Sequence, residues 1–131
     1  MRHNRSSEDY LETILLLSQK LPVVRSVDIA AELNFSKPSV SVAMKHMREK
    51  ECIEVSPSGF ITLTGKGMQI ASSVYEKHQV LSDWLVSLGV DPTIAAEDAC
   101  EMEHQISDES FQAIKKYIKD HSPSQEGAVG K

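Results

Sequence analysis

One short stretch limits most strongly how this chain can fold. Residues 26–33 have the pattern of a short helix, and residues 37–50 have that of a longer helix rich in serine and lysine. Asn34 follows the first helix and can adopt the left-handed conformation that often ends a helix. Ala30 and Ala31 supply small side chains where two helices must cross closely. The layout therefore predicts a helix-turn-helix and favours it over a generic helical hairpin.

Two short alternating runs follow the longer helix. Residues 52–55 and 60–63 alternate apolar and polar side chains, and Ser56–Gly59 joins them with the proline and glycine typical of a hairpin turn. A hairpin directly after the second helix of a helix-turn-helix forms a wing. The first half of the chain is therefore predicted to fold as a winged helix-turn-helix that binds DNA.

The remaining segments are predicted to be helical. Apolar residues recur at helical spacing over residues 6–21, 65–88, 92–106 and 107–121. The predicted fold class is mainly α, with a small β-hairpin as the wing. We predict a winged helix-turn-helix domain over residues 1–66, a helical domain over residues 67–121 with the helix 65–88 as linker, and a flexible tail over residues 122–131.

The two predicted domains differ in charge. Residues 1–66 carry nine lysines and arginines against eight acidic residues, whereas residues 67–131 carry five against eleven. A near-neutral half with local basic patches can still bind phosphates, and an acidic half suits a cation or a protein partner. The charge distribution therefore indicates two separate tasks within one chain.

Cysteine use and hydropathy indicate the compartment. Cys52 and Cys100 are the two cysteines; they lie far apart in the sequence and form no disulfide framework, which favours a reducing cytoplasm. The apolar runs are only a few residues long, so no segment is expected to span a membrane. The N-terminal residues are polar and have no signal-peptide core. We therefore expect a cytoplasmic protein.

A cluster of potential metal ligands stands out in the acidic half. Cys100, Glu103 and His104 are spaced at i, i+3 and i+4, which places them on one face of a helix. Thiolate, carboxylate and imidazole are the side chains that bind transition metals best. Taken alone, the same spacing also fits an ordinary solvated helix face.

Three further residues leave the same choice open. Asp9 and Glu12 lie one turn apart on the first predicted helix, where a hydrated acidic face is the simpler interpretation. His78 lies within the apolar stripe of the long helix. A buried, hydrogen-bonded histidine explains His78 as well as metal ligation does.

Together these motifs resemble the diphtheria toxin repressor family of metal-dependent transcriptional regulators, and the short chain is most similar to the manganese transport regulator branch. The resemblance covers about residues 5–121. Its signatures are Glu8 to Glu12, Asp28 to Val40, Leu63 to Gly67, His78, and Glu103–His104 followed by Ser107–Asp108. The family implies a repressor of manganese or iron homeostasis genes, not an enzyme. It further implies a homodimer on double-stranded operator DNA, with no membrane and no small organic substrate as partner.

The resemblance also implies a ligand set drawn from the first helix, the linker helix and the helix that follows it. Carried onto this sequence, the metal ligands are Asp9, Glu12, His78, Cys100, Glu103 and His104. Asp9 follows the manganese branch, whereas Cys100 follows the iron branch. The implied cofactor is a divalent transition metal, Mn²⁺ or Fe²⁺, and the thiolate makes Co²⁺ and Zn²⁺ further candidates. The helical domain would then serve metal binding and dimerisation.

The second helix of the helix-turn-helix is expected to enter the major groove of DNA. The residues expected to contact DNA are Arg25, Ser36, Lys37, Pro38, Ser39, Ser41, Val42, Lys45 and His46. Where the iron branch has a glutamine that reads bases, this chain has Val42. Its operator is therefore expected to differ.

Two other functions are compatible with parts of the sequence. A winged-helix regulator without a metal would use the acidic half for dimerisation alone, but candidate ligands on three separate helices argue against it. A metal-dependent hydrolase would need an open coordination position, a general base and a substrate cleft. The sequence has no nucleophile motif and no glycine-rich phosphate loop, which disfavours the hydrolase.

Overall fold

The computed structural model describes residues 5–121, with side chains from residue 7 onward. Within this range it has six helices and one two-stranded hairpin, which confirms the predicted fold class. In chain order the elements are α1 (Arg5–Lys20), α2 (Ser26–Leu33), α3 (Lys37–Glu49), β1 (Ile53–Val55), β2 (Ile61–Leu63), α4 (Gly65–Ser87), α5 (Pro92–Gln105) and α6 (Asp108–Asp120). The tail predicted over residues 122–131 lies outside the described residues.

The described residues divide into two compact units, and the division falls between Tyr75 and Glu76 inside α4. The N-terminal unit contains α1, α2, α3, the hairpin and the first part of α4. The C-terminal unit contains the rest of α4 with α5 and α6. No helix in the range 5–121 has the length and apolar character needed to cross a membrane.

The N-terminal unit is built around one apolar core. Leu11 and Ile14 of α1, Ile29 of α2, Val40 of α3 and Ile53 of β1 are almost completely buried in it. Residues three or four apart share one face of a helix, so the spacing of Leu11 and Ile14 directs that face of α1 inward. Burial of these side chains is the main stabilising contribution to the unit.

Local capping determines the path of the helix-turn-helix. The backbone N–H of Arg25 donates to Oδ2 of Asp28 at 2.9 Å and starts α2. Asn34 ends α2 with a φ of 58°, the left-handed conformation expected from its residue type. Ser36 then starts α3, because its Oγ accepts a hydrogen bond from the backbone N–H of Ser39 at 3.2 Å. The turn therefore holds α3 at a fixed position after α2.

The hairpin follows directly after α3. Its antiparallel register pairs Ile53 with Leu63 and Val55 with Ile61. Ile53 and Ile61 are buried, whereas the polar residues of both strands face solvent, so one side of the hairpin packs on the core. The backbone N–H of Ile61 also donates to the carbonyl oxygen of Val24 at 2.8 Å, which joins the hairpin to the segment between α1 and α2.

A close backbone approach joins the hairpin to the start of α4. The hydroxyl of Thr64 donates to the carbonyl oxygen of Glu51 at 2.6 Å and accepts from the backbone N–H of Gly67 at 3.1 Å. A Cβ atom added at Gly67 would lie 2.0 Å from the carbonyl oxygen of Cys52. Glycine is therefore required at this position, because any larger residue would collide with the backbone.

The C-terminal unit has a smaller core. Leu81 of α4, Ala99 of α5 and Phe111 of α6 are its buried centre. The Lys77 side chain, only 4% exposed, pairs with Asp108 at 3.0 Å and so links α4 to α6. A buried ammonium group requires such a partner, because an unpaired buried charge is costly.

Candidate metal centre and DNA-binding surface

The helix spacing of the predicted cluster produces a group of three potential metal ligands on α5. One ligand atom from each of Cys100, Glu103 and His104 lies within 4.8 Å of the others. Glu103 and His104 are buried, and Cys100 is half-buried. Most of this face of α5 therefore points away from solvent, unlike an ordinary hydrated acidic face.

Glu103 lies between two imidazoles. Its Oε1 is 2.9 Å from Nδ1 of His78 on α4, and its Oε2 is 3.3 Å from Nε2 of His104. The Glu103 side chain is 1% exposed, whereas that of His78 is 28% exposed. A carboxylate in this position is stabilised by polar partners, because burial alone disfavours its charged form. Within the C-terminal unit, four predicted ligands therefore meet around Glu103: His78, Cys100, Glu103 and His104.

The donor atoms fit a first-row transition metal. A thiol, a carboxyl and two imidazoles offer sulfur, oxygen and nitrogen ligands of the types that Mn²⁺, Fe²⁺, Co²⁺ and Zn²⁺ accept. Ligation requires the thiol to lose its proton, so metal affinity at Cys100 would rise with pH. Whether each of these residues binds the metal stays a prediction.

The two remaining predicted ligands, Asp9 and Glu12, belong to the N-terminal unit. They lie one turn apart on α1, and both are half-buried. Tyr10 between them is buried, and burial raises the pKa of its hydroxyl above the ordinary value. The pair is therefore held on an ordered, packed helix, and its participation in metal binding also stays a prediction.

The predicted DNA-binding residues share one property, which is exposure to solvent. All nine are exposed: Arg25, Ser36, Lys37, Pro38, Ser39, Ser41, Val42, Lys45 and His46. On α3 the opposite face carries Val40, Met44 and Met47, which are buried. The guanidinium of Arg25 lies 4.9 Å from the centre of the Phe60 ring, so this cation is held beside the hairpin. The exposed face of α3 is therefore accessible to a ligand.

Sequence reasoning missed an open groove beside the wing. The groove has a volume of about 950 Å³, and its lining includes Arg48, Glu51, Phe60, Thr62 and Lys66. Its lining contains both basic and acidic side chains, and the Lys66 ammonium donates to the carbonyl oxygen of Lys50 at 3.0 Å. The groove could not be inferred from spacing, because it forms only when the end of α3 and the paired strands come together.

Comparison with protein families gives two matches that together cover most of the chain. Residues 4–59 match the family described as "Iron dependent repressor, N-terminal DNA binding domain". Residues 64–128 match "Iron dependent repressor, metal binding and dimerisation domain". The first match contains the whole helix-turn-helix, and the second contains His78, Cys100, Glu103 and His104.

Individual relatives agree with these matches. The transcriptional regulator MntR of Escherichia coli O6:H1 is 36% identical over 114 residues, which cover 87% of this chain and 74% of the relative. An HTH-type transcriptional regulator of Methanocaldococcus jannaschii is 32% identical over 118 residues, covering 88% of this chain and 94% of the relative. The solved structure of the manganese regulator SloR is 29% identical, with a TM-score of 0.76 over 86% of this chain. This chain spans 53% of that regulator, about half of its length.

Proposed function

This chain belongs to the iron-dependent repressor family, and from that premise we propose that it represses genes of manganese or iron homeostasis by metal-dependent binding to operator DNA. The observation that carries the proposal is the buried Glu103 carboxylate with His78, Cys100 and His104 around it. The same chain presents an exposed polar face on the second helix of a helix-turn-helix. We therefore propose that a metal centre and a DNA-binding face occur in one protein.

We propose that His78, Cys100, Glu103 and His104 hold the metal and that Asp9 and Glu12 of α1 complete the ligand set. The chemistry of the donors and the family resemblance support this assignment. A bound divalent ion would neutralise carboxylates that otherwise repel one another.

The proposed metal is Mn²⁺ or Fe²⁺, with Co²⁺ and Zn²⁺ as further candidates. One similar protein is named the transcriptional regulator MntR, and another is named the manganese regulator SloR. Carboxylates and imidazoles suit Mn²⁺ and Fe²⁺, whereas the Cys100 thiolate favours softer ions. Since ordinary ligand affinity ranks Mn²⁺ lowest among these ions, selectivity for it must come from geometry and availability.

We further propose a homodimer in the cytoplasm, with the winged helix-turn-helix over residues 1–66 and the metal-binding and dimerisation domain over residues 67–121. The match to a dimerisation domain supports the assembly. Leu88 and Ile94 are 63% and 51% exposed and are suitable apolar contacts for a second copy. Cys52 and Cys100 lie far apart in the sequence and provide no disulfide framework, which supports a reducing compartment. The role is regulatory rather than catalytic, because the sequence has no nucleophile motif or phosphate loop.

The test is DNA binding by the full chain with and without metal. Duplexes would first be selected from a random-sequence library in the presence of Mn²⁺, and a selected duplex would then be titrated by fluorescence anisotropy. We expect binding to weaken about 5- to 150-fold when a chelator replaces Mn²⁺, the usual range of coupling between two ligands. Equal affinity under both conditions would instead support a metal-independent winged-helix regulator.

Two variants on α5 distinguish the loss of a metal-centre carboxylate from the general effect of removing a negative charge from this helix. Glu103→Gln keeps the shape of a buried side chain but removes its charge, so we expect it to abolish the response to Mn²⁺. Asp98→Asn makes the same chemical change at an exposed position of the same helix and should leave the response intact. An undiminished response in Glu103→Gln would exclude Glu103 from the metal centre.

A further inference from the structure

The exposed face of α3 has an apolar residue at its centre. Val42 is 57% exposed, although α3 already buries Val40, Met44 and Met47 on its other side. Val42 stands two residues from Val40 and two from Met44, which places it roughly 200° around the helix from each of them. It therefore points directly away from the core of its own unit.

The surroundings of Val42 show that it occupies the middle of this face and not its edge. The residues one turn away on either side are Pro38, Ser39, Lys45 and His46, and all four are exposed. When such a helix lies in the major groove, its flanking cations meet phosphates and its central side chains meet base edges. Val42 is thus placed to meet a base when α3 lies in the groove.

Among the polar side chains near Val42, two serines are partly engaged within the helix, whereas Lys45 and His46 can reach phosphates or bases. The Ser36 hydroxyl donates to the Ser39 hydroxyl at 2.8 Å and accepts from the backbone N–H of Ser39 at 3.2 Å, so both serines are engaged in capping the helix. Asparagine and glutamine, which read adenine through paired hydrogen bonds, do not occur in α3. The arginine of α3 is Arg48, in its last turn.

We propose that Val42 is a specificity-determining residue that recognises the 5-methyl group of a thymine in the operator. In the major groove thymine is the base that presents an apolar group, so an exposed branched aliphatic side chain can discriminate a T·A pair by contact with it. The inference rests on the proposed function, because it assumes that α3 enters the major groove of operator DNA. It predicts that the operator contains a T·A pair at the position facing Val42.

Uracil substitution tests this contact, because it removes only the 5-methyl group and keeps the base pairing. The full chain with Mn²⁺ would be titrated on a selected duplex in which each thymine is replaced in turn by uracil. At one position in each half-site we expect binding to weaken roughly fourfold, the factor for one methyl group withdrawn from a buried contact. Replacement in both halves of a symmetric operator should weaken it roughly sixteenfold.

Val42→Ala, combined with the uracil substitution, completes a double-mutant cycle. The variant should bind the thymine duplex more weakly than the parent chain. Uracil at that position should then weaken its binding much less than it weakens binding by the parent chain. Val27→Ala is the matched control, because Val27 is 49% exposed but lies on α2; it should keep the full uracil effect. Circular dichroism would verify that both variants fold, as expected for substitutions of exposed residues.

Two results would overturn the inference. The first is that replacement of any thymine by uracil leaves the DNA-binding affinity of the parent chain unchanged. The second is that uracil lowers the affinity of Val42→Ala as much as that of the parent chain. These results are distinct from failure of the proposed function, which would appear as equal DNA binding in Mn²⁺ and in chelator. A uracil effect that depends on Val42 would support the inference even in that case.

Discussion

Nδ1 of His78 on α4 lies 2.9 Å from Oε1 of Glu103 on α5, and the Glu103 side chain is 1% exposed. A buried carboxylate that loses a hydrogen-bond partner retains the full cost of its desolvation. The pair therefore has two separable roles. His78 stabilises the fold in the absence of metal, and we propose that it also offers a ligand atom to a bound metal.

His78 variants should separate these two roles. His78→Ala should lower the free energy of unfolding in chelator by about 1–2 kcal/mol, because Glu103 loses a partner. His78→Asn keeps a hydrogen-bond donor near Nδ1, so it should retain most of that stability but bind Mn²⁺ more weakly. Urea denaturation in chelator and Mn²⁺ titration measure the two effects, with Ser73→Ala, an exposed position on α4, as control. Wild-type metal affinity in His78→Asn would remove His78 from the ligand set.

Cys100 should determine which metal the protein prefers. With Co²⁺ we expect a sulfur-to-metal charge-transfer band in the near ultraviolet, because a thiolate would be among the ligands. Cys100→Glu should lose this band and shift the DNA-binding response toward Mn²⁺. Cys52→Ala is the control, since Cys52 is buried in the N-terminal unit and should not contribute to the band. A parent chain without the band would make Cys100 a packing residue of α5.

Lys45 should contribute to DNA binding through charge. If Lys45 contacts a phosphate, Lys45→Ala should weaken binding to every duplex about equally. It should also reduce the slope of the logarithm of the binding constant against the logarithm of the salt concentration by about one. For the parent chain, about six phosphate contacts would cost on the order of a thousandfold in affinity between 50 and 200 mM salt. Anisotropy titrations at several salt concentrations measure this, with Lys119→Ala on α6 as control. A changed base preference in Lys45→Ala would show instead that Lys45 reads bases.

Gly67 should tolerate no side chain. Gly67→Ala would place a methyl group 2.0 Å from the carbonyl oxygen of Cys52, so the backbone must move and the free energy of unfolding should fall by about 2 kcal/mol or more. Gly65→Ala is the matched control, because a Cβ there has no neighbour within 4 Å. It should be neutral or stabilising by up to about 1 kcal/mol. Thermal and urea denaturation measure the stability of both variants. Equal stability would mean that the backbone around Cys52 moves to accommodate the methyl group at little cost in free energy.

The sequence predicted those features that depend on neighbouring residues. Val40, Met44 and Met47 repeat at helical spacing, and α3 buries them. The cap at Ser36 and the left-handed Asn34 also follow from residue type. The start of α2 was not predicted correctly. Residue type favours Ser26 as the N-cap, but Ser26 is the first helical residue, and Asp28 accepts from the backbone N–H of Arg25 at the cap position.

Features that depend on distant residues could not be predicted with the same certainty. His78 fitted a packed histidine and a ligand equally well, because its partner Glu103 lies on another helix. The spacing of Cys100 and His104 correctly placed them on one face of α5 but could not show that Glu103 and His104 are buried. The groove beside Phe60 forms only after the hairpin pairs and meets the end of α3, so the sequence carried no signal for it.

The hydrogen bond from Ile61 to Val24 has a consequence for the order of folding. A hairpin of two three-residue strands is at best marginally stable by itself. Here its second strand also uses a backbone acceptor in the segment between α1 and α2, so the strand gains this bond only when that segment is in place. The wing is therefore expected to form late, and the amide of Ile61 should exchange with deuterium only when the whole N-terminal unit opens. Protection of the Ile61 amide would then report the free energy of global unfolding of its unit.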